Sequence, residues 1–399
     1  MPGGGKTYFL ATNGGENETC QKDKPCREVV HIVKKLQPGD VVRIAHGNYK
    51  GFDLIELKGR PEAPITFLGE KGKVFFDVTT DRKSANENRD TIFVSQSTHI
   101  ILDGLSTKFA ERAGVRVDRS DFITVRNGSF VNSIAWGIFT NFSDDLLIES
   151  NVASGSKEQH GIYVSNSSQR PTVRNNVIFG NANCGLHMNA DLSMGPPGLI
   201  KGAVVEGNLI YDNGRTGGAG INMDGVQDSL IVNNVLYDNH GTGIVGFKQD
   251  AAAGPSGLKM INNTVIQAEN GRHSMQIVQA SGRNMIRNNI LLHLSPKKLG
   301  LNFGQKSDYE LVDSDYNIVD RIGISDSPTP LSEWRRLARQ EQHSLAAPST
   351  SDLFLHPDTF DFTLLANSPA KRKGVSLTEV AIDFSKKCRK SPPSIGAFD

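Results

Sequence analysis

AVVEGNLIYDNGRTGGAGINMDGVQDSLIVNNVLYDNHGTGI, residues 203–244, carries two rungs of each of two interleaved ladders. A short run rich in β-branched residues ends on Asn208 and again on Asn234. A glycine followed by an apolar residue recurs at Gly220-Ile221 and Gly243-Ile244. Outward from this stretch the asparagine series runs Asn151, Asn176, Asn208, Asn234, Asn263 and Asn289, at separations of 25, 32, 26, 29 and 26 residues. The glycine series runs Gly137-Ile138, Gly161-Ile162, Gly185-Leu186, Gly220-Ile221 and Gly243-Ile244. Self-similarity at such a period marks a solenoid, in which each repeat buries its apolar face only against its neighbours. The spacing predicts an all-β chain of short strands.

Composition agrees. The chain has 399 residues, 37% of them hydrophobic, with 40 glycines, which suits many short strands joined by turns. A net charge of +1 gives no field to draw a polyanion over the whole surface, so nucleic acid is not an expected partner. No apolar run reaches the length of a membrane span. The opening MPGGGKTYF lacks the basic-then-apolar layout of a signal peptide, leaving a removed leader or a non-exported protein as alternatives. Cys20 and Cys26, six residues apart in TCQKDKPC, read first as a local disulfide, with a free pair or a metal site as alternatives. Cys184 reads as a small packed residue.

Residues 7–12 read as a first strand. In 26–36, CREVVHIVKKL, a helical period puts Val29, Val30, Ile32, Val33 and Leu36 on one face, and QPGD ends it. Such a helix would cover the open end of the first coil. The expected organisation is one domain, with an N-terminal cap over 1–40, coils over 41–300, and last coils, a helix and an irregular tail over 301–399. The late helix is expected at 332–342, with Ser332 as its N-cap and Leu331, Trp334 and Leu337 apolar.

The opening TYFLATNGGENETC…PCREVVHIVKKLQPGDVVRIAHGNYKG and the close SPAKRKG…SIGAFD resemble the two ends of secreted bacterial right-handed parallel β-helix proteins of the pectate-lyase-like superfamily. The resemblance covers essentially the whole chain. It implies a right-handed parallel β-helix that is secreted or periplasmic and acts on polysaccharide. It does not choose the reaction, because that superfamily holds lyases, hydrolases, epimerases and non-catalytic spikes. The short DPHD-type signature of its alginate epimerases is absent here.

Counting from each ladder glycine as zero, positions +1 and +3 are mostly apolar and point inward, since a strand alternates faces. Positions +2 then face out: Phe139, Tyr163, His187, Asn222 and Val245. So do positions +4: Asn141, Ser165, Asn189, Asp224 and Phe247. Trp136 and His160 sit at −1 and Lys248 at +5. They reach the outer face only if the strand begins at the glycine or ends at +4.

Asparagines repeated in every coil read as structure, because stacked amides can bond from turn to turn. His160, Tyr163, His187, Asn189, Asp191, Asn222, Asp224 and Lys248 occur once each and read as a site. Trp136 and Phe139 would stack on sugar rings. A uronate lyase would use His187 and Lys248 for acid–base work, with His160 and Tyr163 assisting. Asn189, Asn222, Asp191 and Asp224 would bind substrate. Either no cofactor is needed, or Ca²⁺ is held by Asp191 and Asp224. A glycoside hydrolase using that same pair is the alternative, since strand geometry puts their Cα atoms roughly 8 Å apart, within the inverting range. A non-catalytic carbohydrate-binding protein is the third reading. A polysaccharide is the expected partner, and capped ends suggest a monomer. Three insertions, at 190–202, 215–220 and 249–257, read equally as rims of the groove and as merely tolerated loops. His99, His240, His273 and His293 read as structural or surface residues.

Overall fold

The computed structural model describes residues 4–16, 19–77 and 89–399. The first residues of the expected cap, with 17, 18 and 78–88, lie outside that set. The chain divides into two compact units, Met1–Ala182 and Asn183–Asp399. Each is a parallel β-solenoid whose turns contribute one short strand to each of three sheets.

In the first unit the second sheet stacks Phe52–Ile55, Ile92–Ser95, Ala113–Asp118, Trp136–Asn141 and Ile162–Ser165. The pairs Val115↔Ile138 and Ile138↔Ile162 place the +1 residues in one row. In the second unit the equivalent row is Leu186↔Ile221↔Ile244↔Met275↔Leu301. Every member of both rows is fully buried, so the inward parity read from the glycine ladder holds. The glycines themselves are required by the spacing of the turns. A Cβ on Gly137 would stand 2.7 Å from the carbonyl oxygen of Gly161, and one on Gly220 would stand 2.8 Å from that of Gly243.

The asparagine ladder is structural, as expected. In the second unit Asn234 Oδ1 accepts from the backbone N–H of Asn208 at 3.0 Å and from its Nδ2 at 2.9 Å. Asn263, Asn289 and Asn317 repeat the arrangement. The row ends where Ser344 Oγ accepts from the Asn317 backbone at 2.8 Å, beside the buried Glu341. Ser314 and Ser344 donate to that carboxyl, and burial holds its pKa above the usual carboxylate value. In the first unit Asn151 and Asn176 pair in the same way. A serine ladder, Ser97–Ser120–Ser143–Ser168, carries a neighbouring corner.

The N-terminal cap differs from the expected helix. It consists of two single 3-10 turns, Val29–His31 and Val33–Lys35. Four β-branched residues in five positions disfavour a continuous α-helix, and the tighter turn suits a spacing of three. Val29, Ile32 and Leu36 are buried, whereas Val30 is 63% exposed. Cys20 and Cys26 form the expected disulfide just ahead of it.

The late helix spans Leu331–Ala338 and is capped by Pro330 rather than by Ser332. Its last residue, Ala338, falls four residues before the boundary read from the sequence, and Arg339 follows in a left-handed conformation. Trp334 is buried against Phe303 at 5.6 Å, while Leu337 is exposed. The tail folds back on the third sheet of the second unit, where Phe354, Phe362 and Leu364 pack with Val235, Tyr237, Ile266 and Ile290. Arg389 latches it, donating to Asn233 and to the carbonyls of Gly396 and Ala397.

Candidate functional site

The outward face of the second sheet holds the sequence-predicted residues, and each unit contributes its own group. In the first unit the +2 row reads Asp53↔Phe93↔Arg116↔Phe139↔Tyr163. Phe139 stacks on Tyr163 at 5.4 Å with only 14° between the rings, and Trp136 lies 4.5 Å from Phe139. His160 meets Tyr163 edge-on at 5.0 Å. Four residues chosen from the sequence therefore converge.

Trp136 is the first residue of its strand rather than a residue before it. At that point the chain is still turning: Ala135 and Trp136 both donate to the Arg112 carbonyl, each at 3.0 Å. The indole thereby escapes the parity that sends Ile138 inward. Its Nε1 is buried without a hydrogen-bond partner.

Two arginines that sequence reading passed over complete this wall. The Arg116 guanidinium lies 5.3 Å from the Phe93 ring and 5.5 Å from Phe139. Arg112 lies 5.7 Å from Trp136. Asp90 accepts from Arg112 Nε at 2.9 Å and stands 3.6 Å from Arg116. Asp118 stands 3.8 Å from Arg116 and 3.1 Å from Arg119. Both contacts of Arg116 are longer than hydrogen bonds, and its Nε and Nη1 have no hydrogen-bond partner. Burial pulls the Arg116 pKa down and pushes that of Asp90 up. The missed signal was one more rung: Gly114-Val115 extends the glycine ladder and puts Arg116 at +2.

In the second unit the same row reads His187↔Asn222↔Val245↔Gln276↔Asn302. His187 is half-buried, and desolvation lowers its pKa to about 4, so the ring is neutral at ordinary pH. Asn222 is buried, with its Oδ1 lacking a hydrogen-bond partner. Asn189 and Asp224 pair in the adjoining row. Lys248 is exposed, one residue past the strand Thr242–Phe247, which meets the condition for it to leave the inward parity.

The two aspartates have local structural work. Asp224 is 1% exposed, and its two oxygens accept from the backbone N–H groups of Gln249 and Asp250 at 2.8 and 2.7 Å. Asp191 accepts from the backbone and hydroxyl of Ser193, capping the turn Leu192–Met194. Two of the insertions also interlock. Leu192 donates to the Asp250 carbonyl, and Ala252 to that of Gly198. Ile200–Lys201 pairs with Val226–Gln227 to extend the same rim.

His273 has more company than its sequence context suggested. Its Nε2 lies 2.7 Å from Asp326, which also accepts from Asn302 at 3.1 Å. Asp326 comes from the turn of the hairpin joining Ile322–Ile324 to Ser327–Thr329, so no periodic signal announces it. Cys184 is buried, and burial pushes its thiol up to about 12. Its sulfur and a ring nitrogen of His187 lie within 4.8 Å.

This architecture is that of a parallel β-solenoid with the pectate-lyase-like fold. A crystal structure of pectate lyase Pel9A is similar at TM-score 0.69 and 16% identity, covering 99% of this chain and 96% of that one. A rhamnogalacturonan lyase is similar at TM-score 0.56 and 13% identity, covering 78% and 87%. The complex of XylC with xylose is similar at TM-score 0.56 and 10% identity, covering 98% of each chain. Identities this low carry the fold and not the reaction. By sequence, residues 67–251 match the family model described as periplasmic copper-binding protein (NosD). No curated protein sequence matches the chain.

Proposed function

We propose that the chain binds a uronate-containing polysaccharide and cleaves it by β-elimination outside the cytoplasm. The observation that carries this reading is the wall of the first unit, where Trp136, Phe139 and Tyr163 stack beside Arg116, whose two ion pairs are longer than hydrogen bonds. Flat rings suit the apolar faces of pyranose residues. A guanidinium beside them suits a carboxylate, and neutralising the uronate is what an elimination needs before the C5 proton can leave. Asp90, which accepts from Arg112, stands 3.6 Å from that guanidinium.

The proton-transfer groups proposed beside this wall are Tyr163 and His160; His187 and Lys248 are proposed as a separate acid–base pair within the second unit. A neutral His187 can accept a proton, although its depressed pKa makes it a weak base. The hydrolase alternative loses support because Asp191 and Asp224 both anchor loops. The same engagement argues against a Ca²⁺ site on that pair. The disulfide and the periplasmic description of the matching family favour an exported protein.

The test is incubation with polygalacturonate, alginate, a rhamnogalacturonan and neutral glucans. The ultraviolet absorbance of an unsaturated uronate should rise with an acidic substrate. Reducing ends without that absorbance would mean hydrolysis, and silence with saturable binding would mean a lectin-like protein.

A second reading rests on Cys184 and His187. A thiol and a neutral imidazole within 4.8 Å are soft donors suited to Cu(I). Because the thiol sits near 12, metal would have to displace its proton. Titration with Cu(I) against a chromophoric chelator should show affinity that Cys184→Ser removes. Unchanged affinity in that variant would refute it.

A further inference from the structure

On the third sheet of the second unit the returning tail leaves a cavity of about 270 Å³. Tyr237 and Ile266 form its inner side, Phe360 and Asp358 come from the tail, and Asp238 stands at the end of the Tyr237 strand. Tyr211, Tyr237 and Phe360 stack in sequence, at 4.8 Å and 3° and then at 4.5 Å and 18°. Phe360 closes the stack with its ring 53% exposed.

Phe360 holds a left-handed backbone, with φ 61° and ψ 24°, at the end of the turn Pro357–Thr359. Asparagine or glycine would adopt that conformation at lower cost. A bulky residue kept there places an aromatic ring at the rim of a cavity.

The charge of the site is one-sided. No lysine, arginine or histidine lines it, and neither Asp238 nor Asp358 has an ion-pair partner among the described residues. Aromatic faces carry the negative end of the ring quadrupole. Rings and carboxylates therefore select for a cation, and the size of the space suits one ring rather than a chain, since pockets for larger ligands begin near ~300 Å³. A stacking platform adds a preference for a ligand with a flat apolar face.

We infer that this cavity binds a protonated amino sugar residue, with its pyranose face on the exposed face of Phe360 and its ammonium between Asp238 and Asp358. The site is independent of whether the chain cleaves uronate polymers.

The experiment is calorimetric titration of the full chain with a glucosamine tetramer at mildly acidic pH and low salt. Matched arms use the N-acetylated tetramer, a cellotetraose and choline. The glucosamine tetramer should bind saturably and weaken with salt. The two neutral tetramers should bind roughly tenfold more weakly, the equivalent of losing one charge-assisted contact. Asp358→Asn and Phe360→Ala should each cost about the same factor, with thermal unfolding unchanged for Asp358→Asn because that side chain is exposed. Equal binding of the neutral tetramers, binding of choline alone, wild-type affinity in both variants, or no binding at all would each overturn the assignment.

Discussion

The outer faces of the two units are built on the same backbone pattern and present different chemistry. In each, a glycine is followed by a buried aliphatic residue, and the next residue points out. The first unit places Phe93, Arg116, Phe139 and Tyr163 in that outward row. The second places His187, Asn222, Val245, Gln276 and Asn302 there. Inside, the rows are interchangeable: Val115, Ile138 and Ile162 against Leu186, Ile221 and Ile244, all fully buried. Packing against turns above and below fixes the inner residues. Nothing comparable constrains the outer ones, so that is where chemistry can diverge.

If that division is sound, the largest effects should come from the shared frame in either unit. Gly137→Val and Gly220→Val would each push a side chain into the carbonyl of the next turn, so each should lose about 3 kcal/mol or more by urea unfolding. A loss below ~1 kcal/mol at either position would break the comparison. Next comes the amide row. Asn234→Ala strands the Asn208 N–H and the Val205 carbonyl, to which Asn234 Nδ2 donates at 2.9 Å, and should cost about 2–4 kcal/mol.

Outer-row changes should separate binding from stability. Trp136→Ala and Arg116→Gln should weaken binding of an acidic polysaccharide by roughly tenfold or more, whereas Gln276→Ala should leave it unchanged. Equal losses at all three would show that the two faces are not distinct.

The smallest expected effect is on pH dependence. Burial depresses the pKa values of His187 and His293 to about 4 in the folded chain, from 6.5. The unfolded chain then binds more protons between those values, so their contribution is present above pH 6.5 and is lost as pH falls towards 4. Asp320, raised to about 6 from 3.8, acts in the opposite sense over an overlapping range and offsets part of it. His293→Gln should flatten the fall in Tm across that window. A steeper fall would contradict the buried, neutral imidazole.

Periodicity made the frame legible, because each ladder glycine and asparagine meets a copy of itself one turn away. It also separated the buried Ile138 row from the partly exposed Phe139, Tyr163 and His187, whereas Ser165 and Asp224, read as outward, are each only 1% exposed. Singular features were harder to see. Arg116 was missed because the glycine ladder was begun one rung late. Asp326 reaches His273 from a hairpin outside the repeat. Asp224 read as a substrate or cation ligand because a lone outward carboxylate has no sequence mark distinguishing it from one that accepts two backbone N–H groups. The 26–36 segment has helical spacing, but its β-branched residues favour tighter turns.

The amide row in the second unit is polarised: every side-chain oxygen receives from the preceding asparagine, and the final donors are received by Ser344 and Glu341. A chain of that kind can lose a middle link and close up again, provided a whole turn is excised. Losing the last receiver would cost the Asn317 backbone N–H its Ser344 partner and the amide its Glu341 partner, leaving the Ile286 carbonyl and Ser314.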